Sequence, residues 1–167
     1  MTDHNPYAPP KGEVRDPAPA FGGELASRWS RLGASIVDTI VILLMTVPPL
    51  FFANYFEQVM AGTQSFLVQL SASAFSFALF AAANSYLMTT AGQTIGKKIL
   101  GIRVVDAATA QLPPLGRQLG LRYGTMWFIS LVPLVGTVVG LVDVLMIFRG
   151  DKRCIHDHLA GTKVVTA

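Results

Sequence analysis

Residues 32–53 read LGASIVDTIVILLMTVPPLFFA, an apolar run of about the twenty residues that a helix needs to cross hydrocarbon. Arg28 and Arg31 stand just before it, and Pro48 and Pro49 fall near its far end, where they would kink or end the helix. The chain as a whole agrees with a second solvent besides water. It is 51% hydrophobic and 14% charged, with a mean hydropathy of +0.48. A soluble domain carries about 25% charged residues. A chain of 167 residues has too much surface for its volume to hide this much apolar matter in its own core.

Outward from this run, the charges crowd at 28–31, 97–103, 117–122 and 149–163, leaving long uncharged stretches between. Basic flanks beside apolar runs follow the positive-inside pattern. The basic residues show no aromatic-interleaved face, so the net charge of +3 does not indicate nucleic acid as a partner. The partners expected are the lipid bilayer and a second copy of the chain or another membrane protein. Residues 1–24 are rich in proline, small and polar residues and have no apolar core, so they read as a disordered cytoplasmic tail rather than a cleavable signal. The segment NYFEQVMAGTQ (54–64) has no Lys or Arg and is placed outside.

A second run, 65–88, is again long enough to span, with Gln69, Ser73, Ser76 and Asn84 on one side and Phe, Leu and Ala on the other. Residues 89–122 are polar, basic and turn-rich, with Ile99 to Val105 reading as a short strand. The last apolar stretch, 123–148, could cross once. That would leave Arg149, Lys152, Arg153 and Lys163 on the wrong side. Pro133 and Gly136 offer a break, and Gly161-Thr-Lys-Val-Val165 echoes Gly101-Ile-Arg-Val-Val105, as two neighbouring strands would. The expected architecture is an all-α membrane protein: two spanning helices plus a helical hairpin or third span, with a small cytoplasmic β-sheet. Its membrane domain is 25–167, with helices at about 32–53, 65–88, 115–131 and 134–148, and both termini cytoplasmic.

An aspartate at mid-membrane costs about 2.5–3.5 kcal/mol on insertion scales, so each one asks for a role. Arg31 and Asp38 are two turns apart on one helix face, with Ser35 between them. Asp143 follows Gly136 and Gly140, a GxxxG spacing that admits a close backbone. Counted from the inner ends of their helices, Asp38, Asn84 and Asp143 share a depth of roughly 9–10 Å. Arg31, Asp38, Asn84 and Asp143 form the candidate ion-binding or charge cluster, with Ser35, Ser76 and Asp157 as lesser candidates.

These residues resemble the RDD family of bacterial membrane proteins, named for one Arg and two Asp. The resemblance covers Leu25 to Val165 and rests on LASRWSRLGASIVD, on GQTIGKKILGIRVVD (92–106) and on LVDVLMIF with KRCIHDHLAGTKVV (141–165). Arg31 and Asp38 match the first-helix pair. Asp143 is read as the second Asp, with Asp157 as its rival. The resemblance implies a multi-pass bacterial inner-membrane protein, suspected of transport, with no settled substrate.

Other signals carry less. AGQTIGKK (91–98) approaches a phosphate loop, but Ala91 stands where Gly is needed and Lys98 where Ser or Thr would hold Mg²⁺. Cys154, His156 and His158 alternate without zinc-type spacing or a fourth ligand, so no metal is expected there. His156-Asp157 is half a metal-phosphohydrolase motif with nothing else of that set, and Asp157 reads as a cap for HDHLAG. Trp29 and Trp127 read as interface anchors. No nucleophile–base pair stands out, so neither an enzyme nor a cofactor is expected. Two functions remain: transport of a small cation or proton through the Arg/Asp/Asp cluster, or a non-transporting assembly protein with a structural charge cluster.

Overall fold

The computed structural model describes Phe21 and residues 23–167. The chain is mostly helical, with two apolar helices long enough to cross a membrane and a small two-stranded sheet. Helix α1 runs Arg28–Phe52, opened by Ser27, whose hydroxyl accepts from the Ser30 amide at 3.0 Å. Pro48 and Pro49 lie inside its last turns, where their rings supply no N–H to the carbonyls one turn back. A short helix α2, Tyr55–Met60, leads to α3, Phe66–Ala91. Both long helices leave most of their apolar side chains exposed, as a lipid-facing surface requires.

Helix α3 stops at Gly92, whose φ of 66° favours glycine. A side chain there would also collide with the Val104 carbonyl at 2.5 Å. After α4 (Ile95–Ile99) comes β1 (Ile102–Asp106), and a π-helical segment, Arg117–Gly124, runs directly into α5 (Thr125–Ser130). The single helix expected at 115–131 is therefore two kinds of helix. Gly116, Gly120 and Gly124 carry no side chains to resist the wider turn, and at Gly124 a Cβ would lie 2.8 Å from the Leu119 carbonyl.

The chain breaks at Val132, which is extended, and α6 (Pro133–Leu145) packs on α5. A Cβ on Gly136 would be 2.6 Å from the Ser130 Cα, so the expected close approach is met there; Gly140 faces open space. A 3-10 turn, Met146–Phe148, completes the expected 134–148 segment, before α7 (Ile155–Leu159) and β2 (Thr162–Thr166).

The two strands pair antiparallel, Val104 opposite Val164, as the repeated phrase predicts. The pairing satisfies backbone groups that neither short strand could satisfy alone. Glu24 and Ala26 extend it: the Thr166 amide donates to the Glu24 carbonyl and the Ala26 amide to the Val164 carbonyl. Residues 1–20 and 22 of the expected tail lie outside the described residues. Ala26, Ala34, Ile102, Val104 and Val164 form a buried core between the sheet and the start of α1. This core fixes the start of α1 against the sheet, close to where the polar residues gather.

Candidate functional site

The α1 face bearing Arg31, Ser35 and Asp38 meets two separate polar knots. In the first, Asp38 accepts from the Thr94 hydroxyl at 2.5 Å and from the Gly96 amide at 2.7 Å. Asn84, buried on α3, accepts from the Ile95 amide at 2.9 Å, and the Thr94 hydroxyl accepts from the Lys97 amide at 3.4 Å. The first three amides of α4, which have no partner within their own helix, are each met by a side chain. The approach needs glycine at 96, because a Cβ would lie 2.2 Å from the Ala34 carbonyl. GQTIGKK is therefore a clamp between the two long helices. Lys97 stands 3.8 Å from Asp38 and donates to Tyr123 Oη at 3.1 Å and Thr94 Oγ1 at 3.3 Å.

The second knot is centred on Asp157, which is fully buried on α7. Arg31 holds one carboxylate oxygen and Arg122 the other. The Cys154 amide donates to it at 3.2 Å and the Thr162 hydroxyl at 3.4 Å. A carboxylate has about four acceptor sites, so this one is saturated. Burial alone would raise its pKa, but Arg122, His156 and Arg31 outweigh that and hold it well below the usual carboxylate range. Asp157 reaches back to the amide before its helix, so it does cap the segment, with two guanidinium groups added.

Asp143 belongs beside this second knot. It accepts from the His156 amide at 3.1 Å and lies 2.7 Å from His156 Nδ1. Burial and Arg122 lower the His156 pKa despite that carboxylate, which keeps the ring neutral near pH 7. Burial also pushes the Cys154 thiol up to about 11.

Of the expected cluster, Asp38 and Asn84 meet at the α4 N-terminus, whereas Asp143 bonds to His156 and Arg31 to Asp157. Ser35 bonds to the Arg31 carbonyl and Ser76 to the Ala72 carbonyl. Arg31, Ser35, Asp38, Lys97, Arg122 and His156 all line one cavity of about 180 Å³, while Ser76 lies on a neighbouring groove. The sequence reading gives Arg122, Lys97 and Thr94 no place among the candidate site residues. The signal that could have found Arg122 is the unbalanced charge: one Arg was assigned to two Asp. Trp127 is also more than an anchor. Its indole donates to the Ser73 carbonyl at 3.0 Å and stacks on Phe77, tying α5 to α3.

Comparison with known proteins places these residues in context. The family model described as RDD family matches residues 25–161. An uncharacterized protein, YckC, of Bacillus subtilis is 30% identical over 142 residues, covering 85% of each chain. An uncharacterized protein of Haemophilus influenzae is 29% identical over 142 residues, covering 84% of this chain and 77% of that one. No solved structure matches.

Proposed function

The chain belongs to the RDD family, and from that premise we propose that it is a multi-pass inner-membrane protein that transports a proton or small cation, with Asp38 as the exchangeable carboxylate. The observation that carries this reading is the cavity in which Asp38 faces Lys97. Its volume of about 180 Å³ has room for several waters at roughly 30 Å³ each. Asp157 is saturated by two guanidinium groups and two further donors, which suits a fixed counter-ion. Asp38 keeps acceptor capacity beyond Thr94 and Gly96, which suits exchange.

Lys97 is the internal competitor. Its ammonium is within ion-pair distance of Asp38 and also has two neutral oxygens, on Tyr123 and Thr94. A cation or proton arriving at Asp38 releases Lys97 to those partners, and its departure lets Lys97 return. The helix lengths and basic flanks support an arrangement in which α1 and α3 span the bilayer. The short α5 and α6 then dip in from the cytoplasmic side, where both termini lie. Helices this few cannot wall a pathway alone, so the transporting unit is an oligomer. The test is flux into proteoliposomes. Asp38→Asn abolishes proton or cation movement while the protein still inserts, and an unchanged flux in a folded Asp38→Asn protein overturns the proposal.

One observation favours a second reading, a non-transporting assembly protein. Each of Asp38, Asp143 and Asp157 already has protein donors, as structural carboxylates do. That reading leaves no flux in the wild type.

A further inference from the structure

We infer that Asp143, Cys154 and His156 form a binding site for a transition-metal ion of the zinc type. Among the described residues, these three bring one carboxylate oxygen, one sulfur and one imidazole nitrogen to within 4.8 Å of one another. They come from two elements: Asp143 from α6, His156 from α7, and Cys154 from the cap position just before it. The spacing Cys-x-His alone gives two ligands, and the third arrives only because α6 packs on α7.

Thiolate, imidazole and carboxylate together suit a borderline ion such as Zn²⁺, whereas Mg²⁺ and Ca²⁺ avoid sulfur. With metal–ligand bonds of 2.0–2.3 Å, tetrahedral ligand atoms stand about 3.4 Å apart. The site therefore needs the 2.7 Å contact between Asp143 and His156 to open, and the sulfur to draw in by about 1.4 Å at most. Cys154 and His156 also line the 180 Å³ cavity, which leaves a fourth position open to water.

Binding breaks the Cys154 S–H bond, the sulfur keeping the electron pair and the proton leaving to solvent. His156 then binds through Nδ1 and carries its proton on Nε2, which stands 3.8 Å from the Asp157 carboxylate. Arg122, 3.2 Å from Nε2, turns fully to its other partners, Asp157 and Thr162. Arg31, 3.7 Å from the sulfur, donates to the thiolate. The two guanidinium charges repel the ion. Asp157 cancels one of them, and the thiolate and Asp143 carboxylate cancel the ion's own charge. The occupied site fastens the α5–α6 hairpin to the α7–β2 segment.

The probe is Co²⁺ alone, titrated into the reduced full-length chain, purified in detergent without a polyhistidine tag. A thiolate-to-cobalt charge-transfer band is expected at one equivalent and is displaced by Zn²⁺. Cys154→Ser removes the band. This variant keeps its fold, since serine is a good cap residue, as an unchanged metal-free melting curve will show. Asp143→Asn weakens Zn²⁺ binding by about tenfold or more in calorimetry, and His158→Ala leaves it unchanged. Absence of the band, its survival in Cys154→Ser, or Zn²⁺ affinity indifferent to both Asp143→Asn and His156→Gln overturns the proposal. None of these readouts depends on transport.

Discussion

Arg31 of α1 pairs with Asp157 of α7, 126 positions along the chain, and not with Asp38 two turns away on its own helix. Two positions on one straight helix face are held apart by the helix itself, so they can share a neighbour more readily than touch. Asp157 is the neighbour that reaches Arg31. It serves Arg122 as well, so Arg31, Arg122 and Asp157 form a lock between α1, the π-helical segment and α7.

Removing the lock's carboxylate strands two buried guanidinium groups. Asp157→Ala is expected to destabilise the protein by about 3–5 kcal/mol. Arg31→Met leaves the carboxylate paired with Arg122 and is expected to cost less. Unfolding in detergent, followed by circular dichroism, checks the order. Equal losses would show that the two pairs are not parts of one lock.

Glycine at 96 is required by space. Gly96→Ala forces α4 away from the Ala34 carbonyl and is expected to cost about 1–3 kcal/mol. Gly140→Ala meets nothing and gains helix propensity, so it is expected to be neutral or slightly stabilising. The same unfolding measurement compares them, and a Gly96→Ala protein as stable as Gly140→Ala would refute the clamp.

Asp106 supplies a pH dependence away from the bilayer. The Thr109 and Ala108 amides and Arg117 outweigh the effect of burial and lower its pKa from 3.8 to about 2. A folded pKa below the unfolded value gives stability that is present above about pH 4 and lost as pH falls toward 2. Asp106→Asn should be less stable near neutrality and should lose part of the acid slope in that window. Parallel acid curves for the two proteins would remove Asp106 as the cause.

Topology is tested by labelling. In a Cys154→Ser background, single cysteines at Gly62 and Ala167 should react from opposite faces of the membrane, with Ala167 cytoplasmic. Labelling of both from the outside would put the last apolar stretch through the bilayer once.

Some of this architecture is legible in one dimension. Apolar runs of twenty-odd residues set the two long helices to within a few positions, because crossing length is a property of a contiguous segment. The repeated phrase at 101–105 and 161–165 announced the sheet, because pairing strands need like composition and turn residues. The π-helical stretch was not legible. Its glycines permit it, but what selects it is the surroundings of Gln118 and Arg122, both buried by other parts of the chain.

The sequence by itself determined that Arg31, Asp38, Asn84 and Asp143 needed partners, since a polar group in hydrocarbon has no water to fall back on. Only the tertiary structure decided which partners. Asp38 and Asn84 went to the bare amides of α4, Arg31 to Asp157, and Asp143 to His156. Depth and helix face place a group on a surface, but they do not say which of several donors another element will bring there. That choice follows from long-range packing: the sheet and its small core bring α4, α7 and the π-helical segment against the foot of α1.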